Sequence, residues 1–136
     1  MDTIHPFDRQ LADVVAMLSI ALRAGYTLPQ IFESLASKAP EPAAGACARI
    51  TADLKSGISL DQALTNWQKN VPSTYLPEVI TVIKKHAQAS GQLANQLDPM
   101  IDEILAKAGT DGSFYPALRR LTQAVGAKLP PRIPFN

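Results

Sequence analysis

Apolar residues recur along this chain with the period of a helix. Leu11, Val14, Val15, Leu18 and Leu22 stand at i, i+3, i+4, i+7 and i+11 and so share one helix face. Leu28, Ile31, Phe32 and Leu35 make a second face, and Cys47, Ile50 and Leu54 a third. Leu60, Ala63, Leu64 and Trp67 mark a fourth helix, followed by the loop KNVPS. A fifth is expected over about 74–90, with Leu76, Val79, Ile80 and Ile83 inward and Lys84, Lys85 and His86 outward. Leu97, Ile101, Ile104 and Leu105 supply the sixth. Asp98-Pro99 interrupts it, so either the helix kinks there or Asp98 caps a fresh start. The pattern allows a short helix over 116–124, and the closing LPPRIPFN reads as extended and loose. No stretch alternates as a strand would.

The breaks between these faces repeat a phrase. LRAGYTLPQIFESL is echoed by LKSGISLDQALTNW, with Gly25 and Gly57 in register, and GQLANQL after Gly91 is a looser third version. Each glycine suits the left-handed position that ends a helix. Thr27 with Gln30, and Ser59 with Gln62, have capping-box spacing: the hydroxyl accepts from an orphan first-turn N–H and the Gln reaches back. Pro29 is tolerable in a first turn, Pro40 and Pro42 break the second helix, and Pro42 can open the third. The expectation is an all-α, antiparallel bundle of about six helices arranged as three hairpins. It would span residues 9–107, between a flexible N-terminus over 1–8 and a Pro-rich tail over 108–136.

Composition narrows the chemistry. A hydrophobic content of 46% with 18% charged residues is that of a globular domain. A net charge of +1 argues against a broad nucleic-acid-binding face, although no acid follows Asp111 while Arg119, Arg120, Lys128 and Arg132 do. Cys47 has no partner for an internal disulfide and reads as a small residue of an Ala-rich helix. The N-terminus lacks the pattern of a signal peptide. The apolar run VVAMLSIAL falls far short of the ~20 residues a membrane span requires, so the chain as given is not expected to cross a bilayer. His5 and His86 have no nucleophile at a recognisable spacing, and no zinc-protease, nucleophile-elbow or phosphate-loop motif occurs. Asp98 and Asp102 share a helix face and could hold a cation weakly, but a solvated acidic face is the simpler account. No catalytic, cofactor-binding or metal residue is therefore assigned.

Two other readings use the echoed turns. SGISLDQALTNWQKN could serve as turn and recognition helix of a DNA-binding regulator. It offers only Gln62, Asn66, Gln68 and Lys69 for contacts, however, and Asp61 would repel phosphate. Glycine spacings of 32 and 34 also approach the period of a helical-repeat interaction module, but the signature positions of such repeats do not recur.

The ordered set of glycine corners resembles a known family. LADVVAMLSIALRAGYTLPQIFESLA, a Pro-containing joint, ARITADLKSGISLDQAL and LPEVITVIKKHAQASGQLANQLDPMIDEI together look like the type II secretion system F domain. This is the cytoplasmic domain of inner-membrane platform proteins of secretion systems and type IV pili. The joint KAPEPAAGACARI is similar to the tight-adherence (Flp) pilus branch. The resemblance implies a non-enzymatic helical scaffold at the cytoplasmic face of the membrane. Its partners would be the assembly ATPase, other platform proteins and a second copy in a homodimer, with no nucleic acid. It also implies flanking membrane helices, so the chain is expected to be an excised domain or a stand-alone relative. The sequence departs from the family where Gln88 replaces an acid before the third glycine, and at Pro99. Lys84, Lys85 and His86, with the loops after Gly25 and Gly57, are the candidate contact surface.

Overall fold

A computed structural model describes residues 4–126 of the chain. Seven α-helices, and no strand, make up these residues: α1 (Asp8–Arg23), α2 (Leu28–Lys38), α3 (Ala43–Lys55), α4 (Leu60–Asn70), α5 (Leu76–His86), α6 (Ser90–Ala108) and α7 (Tyr115–Val125). The all-α bundle is as expected.

The helix ends follow from local chemistry. α1 stops in a Schellman motif: Tyr26 N–H donates to the Ala21 carbonyl at 3.0 Å and Gly25 N–H to that of Leu22 at 3.1 Å. α3 stops the same way, with Ile58 N–H on Asp53 and Gly57 N–H on Leu54. Both glycines have positive φ, +97° and +94°. Thr27 and Gln30 form the full capping box: Gln30 N–H donates to Thr27 Oγ1, and Thr27 N–H donates to Gln30 Oε1 at 2.9 Å. α5 opens on Pro77 and Glu78 and closes on Lys84, Lys85 and His86, each sign at the end that the helix dipole favours.

Two of the expected corners differ. Ser59 caps α4 through Gln62 N–H, but the Gln62 side chain does not reach back. It donates instead to Asn66 Oδ1 at 3.0 Å, one turn on, and Asn66 in turn donates to Asp53 of α3. Gly91 ends no helix. α5 already stops at His86, the chain turns over 87–89 without a positive φ, and Gly91 lies in the first turn of α6. α6 then runs unbroken through Pro99, and Asp98 caps nothing, because its carboxylate is held by α1.

The pairing of helices is not simply three hairpins. α1 lies along α6, its N-terminal half beside the end of α6 and its last turn beside Asn95 and Asp98, so the two run antiparallel. α2 pairs with α3, while α3–α4, α4–α5 and α5–α6 pack as successive neighbours. α1 touches α2 only slightly and packs on α7 as well. This central position explains why fourteen of its sixteen residues, Asp8 to Leu22 except Arg9, are buried. A helix covered on every side needs apolar residues all round, as VVAMLSIAL has.

The expected outer segments are also part of the bundle. Phe7 is buried and meets Trp67 edge-to-face at 5.9 Å, so the chain before residue 9 is not loose from that point on. Phe32 packs on the other side of Trp67 at 5.6 Å. Phe114 and Leu118 are wholly buried, which makes α7 a core helix. The expected extended LPPRIPFN, with Lys128 and Arg132, lies outside the described residues. No helix among the described residues is long and apolar enough to cross a membrane.

Candidate functional site

Polar side chains buried inside a helical bundle need partners, and α1 carries five within or beside its covered surface. Asp8 accepts from Ser73 Oγ and from Thr74 N–H at 2.9 Å, fixing the entry to α5. Gln10 donates to the Glu41 carbonyl at 3.0 Å and to Ser113 Oγ at 3.1 Å, and its own carbonyl accepts from Ala43 N–H. One side chain thereby ties the α2–α3 joint and the α6–α7 loop to α1. Asp13 accepts from Thr110 Oγ1 at 2.6 Å, while its other oxygen, Oδ1, is buried without a partner among the described residues. Burial pushes the Asp13 carboxyl up to about 6; the Thr110 hydrogen bond works against this and the charge of Asp111 adds to it. Arg23 grips Asp98 in a two-pronged pair, at 2.8 and 3.2 Å, and also reaches Asn95 and Ser19. Each of these groups is used to hold one element against another.

The candidate contact residues are dispersed. Lys84 is half-buried; it donates to Thr65 Oγ1 and lies 3.6 Å from Asp61, so it serves the α4–α5 contact. Lys85 is exposed and His86 half-buried. Asp61 and Asn66 of the fourth helix are likewise engaged within the bundle. Gly25, Thr27 and Gln30 stand at the α1–α2 corner, and Gly57, Ser59 and Gln62 at the α3–α4 corner, where they shape backbone. Burial pushes the Cys47 thiol up to about 12, leaving no reactive thiolate. Asp98 is committed to Arg23 and Ser19.

A groove of about 890 Å³ lies between α2 and α7, with α1 beneath it. Its floor holds Met17, Ala21, Ile31, Leu35 and Ala117. Ser34, Ser37 and Lys38 of α2 and Arg120 and Ala124 of α7 stand exposed along its rims. Tyr26, 45% exposed, closes one end and is the exposed large hydrophobic side chain of the described residues. Among the described residues, Lys38 and Arg120 are the charged ones that line the groove, and no acid lines it. The short helix allowed over 116–124 is expected in a tail outside the bundle, so local pattern does not point to this site. The available signal was Phe114, Ala117, Leu118 and Leu121 at i, i+3, i+4 and i+7.

Comparison with known families gives a match. The profile of the family described as Type II secretion system (T2SS), protein F, matches residues 14–125. That span begins inside α1 and ends with the last residue of α7, so it takes in the helices that form the groove. No match was found among curated proteins or among solved structures. The profile indicates a platform-protein family of membrane secretion and pilus machinery. With the profile covering most of its length, the chain belongs to the type II secretion system protein F family.

Proposed function

We propose that the chain is a non-enzymatic scaffold domain of an inner-membrane platform protein, working at the cytoplasmic face in protein secretion or in type IV or Flp pilus assembly. Its partners in this reading are the assembly ATPase, other platform proteins and a second copy of itself. The observation that carries the reading is how the polar groups are used within a domain of this family. Asp8, Gln10, Arg23, Lys84 and Asp98 make structural contacts, and the open surface is a groove with an apolar floor. Such an arrangement suits binding between proteins better than bond-making. Purified chain immobilised on a resin should retain the cognate assembly ATPase, with or without nucleotide. If neither this chain nor its full-length parent retains the ATPase, that partnership fails.

A further inference from the structure

We propose that the groove between α2 and α7 receives one face of an amphipathic helix from a partner protein, with acidic residues flanking its apolar stripe. This rests on reading the domain as a scaffold and names the chemistry of what its groove holds.

The lining residues set the shape. On α2 they fall at 30, 31, 34, 35, 37 and 38, and on α7 at 117, 120, 121 and 124. Both sets recur at helical spacing, over residues 30–38 of α2 and 117–124 of α7. Each wall is therefore about two turns long, enough to seat about two turns of a helix laid against it.

The chemistry selects among occupants. A small molecule needs a few convergent polar groups to orient it. Here the polar lining residues, Gln30, Ser34, Ser37, Lys38 and Arg120, all stand on exposed helix faces, and the floor is apolar. Leu or Met side chains of a helix meet that floor instead, through the i, i+3, i+4, i+7 anchors of helix-in-groove binding. Lys38 and Arg120 stand on opposite walls. A helix lying between them is best matched when both of its flanks are acidic, whereas basic flanks are repelled.

The test uses the purified chain and a synthetic fluorescein-labelled helical peptide of about 15 residues. Leu occupies its i, i+3, i+4, i+7 and i+11 positions and Glu its flanks; a second peptide carries Lys for Glu. Anisotropy should show the Glu peptide binding about tenfold or more tighter than the Lys peptide. Lys38→Glu with Arg120→Glu should erase or reverse that preference. Ser34→Trp, at an exposed groove position, should abolish binding while leaving the circular dichroism and melting temperature unchanged. Equal binding of both peptides, or no binding, overturns the proposal. So does self-association of the chain that Ser34→Trp abolishes, because a second copy would then be the occupant. Binding to anionic vesicles that the double variant abolishes, without binding of the Glu peptide, overturns it in favour of a lipid surface. ATPase retention that survives Ser34→Trp while the peptide fails sinks only the groove. Peptide binding without ATPase retention sinks only that ATPase partnership.

Discussion

Burial sets Asp13 apart among the carboxylates of α1 by raising its pKa. Its carboxyl is covered, one oxygen has the Thr110 hydroxyl and the other has no partner among the described residues. The unfolded carboxyl ionises near 4, while the folded one is pushed up to about 6. Between those values the folded state holds a proton that the unfolded chain releases. The stabilisation from this group is therefore fully present below about pH 4 and is lost as the pH rises through about 6. A gap of about two units corresponds to roughly 3 kcal/mol. Asp13→Asn keeps an acceptor for Thr110 and carries no charge, so it should remove that dependence. Urea unfolding of both proteins over about pH 3.5 to 7.5 should show the wild type losing stability relative to the variant across the window. A difference that stays constant with pH would clear Asp13 of the effect. None of this was legible in the sequence: Asp13 lies between Ala12 and Val14, and burial within the folded bundle is what makes its charge costly. Gln10 was hidden for the same reason, since its partners lie at Glu41, Ala43 and Ser113, far along the chain.

At the scale of the helix, the three echoed glycines separate into two kinds. Gly25 and Gly57 sit at the end of a Schellman motif with positive φ, and a Cβ there would meet nothing within 4 Å. The cost of a side chain is thus purely that of the left-handed backbone, about 1–2 kcal/mol. Gly91 has neither constraint: it lies in the first turn of α6, exposed, and a Cβ is equally unobstructed. Replacing it relieves the helix of a flexible residue, worth a few tenths to about 1 kcal/mol. Gly25→Ala and Gly57→Ala should therefore lower stability in urea, and Gly91→Ala should raise it. A loss at Gly91 equal to that at Gly25 would mean the third echo is a corner after all. The first two corners were legible because a Schellman ending and a hydroxyl cap are written in adjacent residues. The third misled because spacing alone carried it, and a turn through Ala87 and Ala89 needs no glycine.

The whole molecule is organised around α1, and that is where local reading ran out. Amphipathic faces mark which residues point inward but not which helix covers them, so the antiparallel pairing of α1 with α6 stayed hidden. α7 suffered more. Its two arginines and the prolines beyond it resemble a solvated tail, although Phe114, Ala117 and Leu118 complete the cover of α1. The family profile likewise continues to residue 125, past the expected boundary at 107. Ending the chain at Lys107 would expose the face of α1 that α7 covers and remove two wholly buried side chains, Phe114 and Leu118. At about 1.5–3 kcal/mol for each, the loss is about 3–6 kcal/mol. It would also take away Thr110 from Asp13 and Ser113 from Gln10, leaving buried polar groups without partners. Domains of this size are stable by about 5–15 kcal/mol in total, so the shortened chain should stand near the edge of unfolding. A chain ending at Gly126 should keep its cooperative urea transition, whereas one ending at Lys107 should unfold at far lower urea and bind a hydrophobic dye. Equal midpoints for the two would show that α7 only rests on the bundle and that the groove it walls is incidental to the fold.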